Sequence, residues 1–211
     1  MNKIFAIGDI HGCYRKLCVL MGKIPIDRDQ DILVFLGDYI DRGDNSYDVI
    51  EYLISLNSIF RKLVLLKGNH EEMFENYLSD KDKYSFLLNG GYQTLESYFQ
   101  HAHSKDNSLV PNAHSNFIKS LDLFYETEYY IFVHAGLRDG VPISMQEPSD
   151  LLWIRHSFLR SDFDFGKQVV FGHTPFAEPL VQRNKIGIDT GAVYGNKLTC
   201  VELPELRFYQ A

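Results

Sequence analysis

The sequence predicts an α/β fold with mixed sheet character, on three observations. Five short apolar, β-favouring runs each end at a glycine or a charged or polar motif residue: IFAI before Gly8, ILVFL before Gly37, LVLL before Lys67 and Gly68, YYIFV before His134, and QVVF before Gly172. Helical periodicities fill the intervals between the first of these runs. The 211 residues, 45% hydrophobic and 23% charged, carry no Pro/Gly/Ser-rich linker or low-complexity run, so one domain over 1–211 is expected.

Taken in order, the Ile4 to Ile7 strand precedes a helix over Tyr14 to Lys23, and the Ile32 to Leu36 strand precedes a second over Ser46 to Ser58. That second helix gathers Val49, Ile50, Leu53, Ile54 and Leu56 on one face, and Asp44, Asn45 or Ser46 can cap it. The third strand leads to a helix from about Glu71 to Leu78. From Tyr84 to Leu123 an NGG turn at Asn89 to Gly91, an amphipathic TLESYF run and a polar loop from His101 to Asn112 predict two helices joined by a flexible segment. This 84–123 stretch is expected to overhang the site and, with the loop from Arg138 to Pro148, to set specificity. After His173, KIGID, KLTCVEL and LRFYQ, separated by GAVYGN and a proline, predict consecutive antiparallel strands.

Charge and cysteine usage narrow the function classes. A net charge of −7 argues against a broad nucleic-acid or anionic-membrane footprint. The only apolar run near the N-terminus, Ile4 to Ile7, is too short for a signal-peptide core, and no stretch is long enough to span a bilayer; a cytoplasmic monomer is the expectation. Cys13, Cys18 and Cys200 form no CxxC pair, which fits reduced thiols, with Cys13 expected to be a packed, inert side chain. His101, His103, His114 and His156 are expected to be solvated or structural, and Asp27, Asp29 and Asp31 to form a solvated loop.

The chemistry sits in GDIHG (8–12), GDYIDRG (37–43), GNHE (68–71), HAG (134–136), Arg155 of LLWIR, and GH (172–173). Together these place Asp9, His11, Asp38, Asn69, His134 and His173 just past strand ends, an oxygen and nitrogen donor set suited to two divalent cations. Converging Asp9, Asp38 and Asp41 would force protons onto some of them unless cations screen the repulsion. Asp38 can bridge two cations, with Asp9 and His11 on one side and Asn69, His134 and His173 on the other; a hydroxide can fill the remaining bridging position, ready for in-line attack on phosphorus. His70 is then free to protonate a leaving alkoxide with Asp41 orienting it, while Arg42 and Arg155, with Asn69 beside them, meet the phosphate oxygens. Asp189 in IDTGAVYG is open between supporting the site and making a turn. Other phosphate chemistries are missing their motifs: no cysteine is followed six residues later by arginine, no GxxxxGK occurs, and Phe74 stands where HExxH needs its second histidine.

With these motifs in this order the sequence resembles the phosphoprotein phosphatases of the calcineurin-like metallophosphoesterase superfamily, in their short bacterial and phage form, over essentially the whole chain. The resemblance implies a sandwich of two mixed β-sheets flanked by helices. It implies two divalent metals, manganese foremost with iron, zinc or nickel as alternatives, and hydrolysis without a phosphoenzyme. The expected activity is a protein serine/threonine phosphatase acting on phosphorylated protein or peptide, with side activity on phosphotyrosine. The rival within the superfamily is the symmetrical diadenosine tetraphosphatase group, and a non-catalytic scaffold of the same fold is the third reading.

Overall fold

The computed structural model describes residues 3–101 and 109–211, so His103 and most of the polar loop lie outside the described residues. The described strands are β1 (Ile4–Ile7), β2 (Ile32–Phe35), β3 (Leu63–Leu65), β4 (Phe124–Glu126), β5 (Tyr130–Val133), β6 (Gln168–Phe171), β7 (Leu180–Val181), β8 (Lys185–Gly187), β9 (Thr199–Leu203) and β10 (Arg207–Gln210). The helices are α1 (Tyr14–Lys23), α2 (Ser46–Leu56), α3 (Asn69–Leu78), α4 (Tyr84–Phe86), α5 (Tyr92–His101), α6 (Asn112–Lys119), α7 (Pro148–Trp153) and α8 (His156–Arg160).

Two five-stranded mixed sheets result, in the orders β10-β9-β1-β2-β3 and β4-β5-β6-β8-β7. In the first, β1, β2 and β3 are parallel while β9 and β10 run against them; in the second, β5, β6 and β8 are parallel between antiparallel edges. Side-chain alternation builds the layers. Ile4, Ala6, Val34 and Val201 of one sheet meet Phe132, Val170 and Ile186 of the other in an apolar layer between them. Phe5, Ile7, Leu33 and Phe35 turn the other way, onto Leu17, Leu20, Val49, Leu53 and Phe74 from the helices. Ile131, Val133, Val169 and Phe171 pack outward against Leu151 and Phe158. The central strands are buried on both faces, which is why they read as continuous apolar runs.

Three expectations are corrected. KIGID does not pair with KLTCVEL: Lys185–Gly187 runs parallel to β6 in the second sheet, whereas β9 and β10 close the first. Between them the chain changes sheets through left-handed Gly191 and Gly195, which bracket a short 3-10 turn. Helix α3 starts at Asn69 rather than Glu71, so Asn69 and His70 project from its first turn. The acidic loop is also not wholly solvated, since Asp31 is buried and accepts the Lys3 and Asp27 backbone N–H groups. His114 is a buried structural histidine between Tyr98 and Glu51, and burial pushes the Cys13 thiol up, as for an inert cysteine. The Tyr84 to Leu123 stretch holds α4, a π-type turn, α5 and α6, and Gly90 reaches the site by accepting the Arg42 N–H at 3.0 Å. No helix among the described residues is long and apolar enough to cross a membrane.

The ends of β2 and β3 approach closely at a pair of glycines. Gly37 has φ +99°, and a Cβ there would lie 2.5 Å from the Gly68 nitrogen. Gly37→Ala is therefore expected to destabilise the protein by about 2–4 kcal/mol, combining a strained φ with a backbone clash. Denaturant unfolding reads this directly, and an unchanged midpoint would count against the close approach.

Candidate active site

The motif loops follow the C-terminal ends of β1, β2, β3, β5 and β6 and meet at one end of the sandwich. Asp38, almost fully buried, lies at the centre. Its Oδ2 is 3.4 Å from His11 Nε2 and 3.9 Å from His70 Nε2, and its Oδ1 is 3.4 Å from His134 Nε2. His11, Asp38 and His70 form one buried group with converging donor atoms; Asp38, His134 and His173 form a second, sharing Asp38. Asn69 Oδ1 joins the second, 3.0 Å from His134 Nε2 and 2.9 Å from His173 Nδ1. Asp9 stands at the edge, both of its oxygens accepting the His173 backbone N–H at 3.1 and 3.0 Å. The structure thus places His11, Asp38, Asn69, His134 and His173 in one cluster with His70 Nε2 among them, and Asp9 at its edge.

The backbone is strained to do this. His11, Asp38, Asp41, Arg42 and His173 all occupy the left-handed region, with φ of 46°, 53°, 72°, 69° and 62°. Each costs roughly 1–2 kcal/mol for a residue with a side chain, and such outliers collect at functional sites. Hydrogen bonds hold them: the Ile10 and His11 N–H groups both donate to the Asp38 carbonyl, and Gly12 N–H to that of Tyr39. Glu71, buried at the first turn of α3, accepts the Asp38, Tyr39 and Gly68 N–H groups at 2.9, 2.8 and 2.9 Å, and the Ile40 N–H at 3.4 Å. Burial pushes Glu71 up to about 7. Four N–H groups aimed at both oxygens nevertheless suit the acceptor-only carboxylate, and this geometry favours the ionised form.

The donor set fits divalent cations. His11 Nδ1 lies 2.8 Å from the Ile40 carbonyl and His134 Nδ1 2.9 Å from that of Leu36. A carbonyl only accepts, so both Nδ1 atoms carry the proton and both Nε2 lone pairs face the cluster, the arrangement that orients metal-binding imidazoles. His134 Nε2 and Asn69 Oδ1 are then two acceptors 3.0 Å apart, a contact that a cation between them would turn from repulsive to favourable. Carboxylate charge points the same way. Burial, and then the charges of Asp189 and Asp38, push Asp9 well up. Burial would raise Asp38 too, but His134, His70, His11 and His173 hold it below the usual carboxylate range. Asp189 makes the turn, accepting the Gly191 N–H at 2.9 Å, and burial pushes its carboxyl up to about 6.

His70 and the two arginines flank the donors. His70 Nδ1 is 2.6 Å from Asp41 Oδ2, with both side chains essentially buried. Burial opposes a charge on His70, but Asp38 and Asp41 outweigh it and raise its pKa. Arg42 Nη1 lies 2.7 Å from His11 Nε2, and Arg155 donates through Nε to His173 Nε2 at 2.9 Å, so the guanidinium groups bracket the cluster from its two sides. The Tyr194 ring lies under Arg42 at 5.7 Å, and Trp153 sits edge-on to His173 at 6.3 Å while donating to Glu72. Sequence reasoning missed Glu71, for which the last residue of GNHE was the available signal, and Thr94 and Ser46, whose hydroxyls both accept the Asp41 N–H and which carried no signal beyond the helix-cap reading of Ser46.

Comparison with known proteins agrees with this geometry. The chain is 29% identical over 224 residues to "Bis(5'-nucleosyl)-tetraphosphatase PrpE [asymmetrical]" of Anoxybacillus flavithermus, covering 95% of this chain and 90% of that protein. It is 28% identical over 205 residues to "Serine/threonine-protein phosphatase 1" of Salmonella typhimurium, covering 95% and 91%. In fold it resembles the cold-active protein-tyrosine phosphatase of a psychrophilic Shewanella species, with a TM-score of 0.70 at 17% identity, over 100% of this chain and 77% of that one. The calcineurin-like phosphoesterase family model matches residues 2–200, and with its motif loops gathered around Asp38 the chain belongs to that family.

Proposed function

We propose that this metallophosphoesterase hydrolyses bis(5′-nucleosyl) tetraphosphates, cutting the four-phosphate chain unequally to a nucleoside triphosphate and a monophosphate. The observation that carries the reading is similarity along nearly the whole chain to a relative named for asymmetrical cleavage. The site supports it. Arg42 and Arg155 stand on opposite sides of the donor cluster, suited to neighbouring phosphates of one chain. Beside Arg42 a cavity of about 370 Å³ opens between Gly12–Lys16 and Ala192–Val193, with Arg15 and Lys16 in its wall. Tyr194, 63% exposed under the Arg42 guanidinium, offers a face on which a nucleobase can stack.

The proposed ligands are Asp9, His11, Asp38, Asn69, His134 and His173, holding two divalent ions, manganese first among them. Bound there, such ions supply Lewis-acid neutralisation of the phosphate charge and activation of water. Arg42 and Arg155 orient the phosphate oxygens, and His70, held by Asp41, donates its Nε2 proton to the leaving oxygen.

A second reading, phosphomonoester hydrolysis on protein, draws on the His70–Asp41 pair itself, because a serine alkoxide needs a proton far more than a nucleotide phosphate does. Product chromatography separates the readings: ATP with AMP from diadenosine tetraphosphate supports unequal cleavage, and ADP alone would overturn it. Tyr194→Ala is expected to raise KM for the dinucleotide about 5- to 50-fold, as loss of one base–aromatic stack predicts. An unchanged KM would remove Tyr194 from substrate binding.

A further inference from the structure

Helix α5 supplies one side chain to the His70–Asp41 pair, and its geometry gives it a role. Thr94, fully buried, donates through Oγ1 to Asp41 Oδ1 at 2.6 Å, on the carboxylate oxygen opposite the one that meets His70. The same Oγ1 accepts the Asp41 backbone N–H at 2.8 Å and lies 3.1 Å from Ser46 Oγ. The hydroxyl has one proton and two lone pairs, so with its proton on Asp41 the Ser46 hydroxyl must be the donor of that last contact, and every position on Thr94 is used. Ser46 Oγ also accepts the Asp41 N–H, at 3.2 Å. Both ends of a left-handed residue, backbone and carboxylate, are thus fixed by a helix fifty-three positions further along the chain.

We propose that Thr94, seconded by Ser46, is a positioning residue for proton donation: it fixes the Asp41 carboxylate, which in turn fixes the His70 ring so that Nε2 faces the donor cluster. The inference rests on the reading of His70 as proton donor. Turning the Asp41 carboxylate out of plane breaks the 2.6 Å bond to Nδ1, and in a fully buried pocket no water replaces Thr94 as the partner of Oδ1. Thr94→Val keeps the shape of the side chain and deletes the hydroxyl; Thr94→Ser keeps the hydroxyl.

The test compares phenyl phosphate, a poor leaving group, with p-nitrophenyl phosphate, a good one, on manganese-loaded protein. Thr94→Val is expected to lower kcat on phenyl phosphate about 10- to 100-fold and on p-nitrophenyl phosphate less than about 3-fold, the range for a displaced supporting group of a proton donor. Thr94→Ser should stay within about 3-fold of wild type on both, and Thr94→Val should add less than about 3-fold in a His70→Asn background, where there is no ring left to position. A readout apart from turnover is the downfield imidazole N–H resonance of the zinc-loaded protein, identified by its loss in His70→Asn and expected to be lost or shifted in Thr94→Val. Should the valine variant not fold, Thr94→Cys, a weak donor of similar size, carries the same comparison with an expected loss of about 3- to 10-fold on phenyl phosphate alone. Equal losses on the two substrates, an equal loss in the His70→Asn background, or an unmoved resonance would overturn the proposal. If His70→Asn slows both substrates equally, the proton-donor reading fails and the proposal with it; if His70→Asn discriminates between them and Thr94→Val does not, only the positioning role fails.

Discussion

Asp38→Asn is expected to abolish activity, with turnover falling on the order of 10³-fold or more while the fold persists. The reason is its place: one carboxylate within 3.4 Å of both His11 Nε2 and His134 Nε2, the only residue common to the two buried donor groups. Each carboxylate oxygen faces a different group, so the amide loses the charge felt by both and presents an N–H₂ to one of the imidazole lone pairs. Both cation positions should weaken together. Metal content after manganese loading and dialysis reads this independently of turnover, with circular dichroism to confirm folding. A variant that keeps two equivalents of metal and full activity would remove Asp38 from the centre. A variant that keeps one would confine it to one side.

His70→Asn is expected to have the second-largest effect, and one that depends on the substrate. Retaining the proposed six ligands, it should bind metal as wild type does. Loss of a general acid costs about 10²–10⁴-fold where the leaving oxygen needs a proton. On a phosphoserine peptide or phenyl phosphate the fall should approach that range. On p-nitrophenyl phosphate or diadenosine tetraphosphate, whose leaving groups depart as stable anions, it should be about tenfold or less. Because His70 Nε2 also lies 3.9 Å from Asp38, loss of metal in His70→Asn would instead make it a ligand. Equal losses on all substrates with metal retained would count against proton transfer.

The parts of this molecule that could be read from sequence are those whose causes are local. Strands β1, β2, β5 and β6 are buried on both faces and appear as unbroken apolar runs, and α1 matches its sequence limits because its apolar residues recur at helical spacing. The motif residues were legible because glycines mark the turns that swing them inward, as at Gly37 beside Gly68. What escaped depends on distant contacts. Whether Lys185–Gly187 joins β6 or β9 is decided by the crossing at Gly191–Gly195, and a strand-like run carries no mark of its sheet. The start of α3 was placed two residues late because Gly68, its N-cap, has no side chain to announce it. β4 is a half-exposed edge with no period of its own. Thr94 is one threonine in an ordinary amphipathic helix, and only folding puts it against Asp41.

Metal-dependent hydrolysis of a dinucleoside tetraphosphate is checked by following diadenosine tetraphosphate and a phosphoserine peptide side by side with chelator-stripped protein, before and after manganese is restored. The stripped protein should show no turnover, and restored manganese should bring back release of ATP and AMP with preference for the dinucleotide over the peptide. Turnover that survives chelation would contradict the metal centre, and a manganese-dependent enzyme that dephosphorylates the peptide while leaving the dinucleotide intact would contradict the proposed substrate.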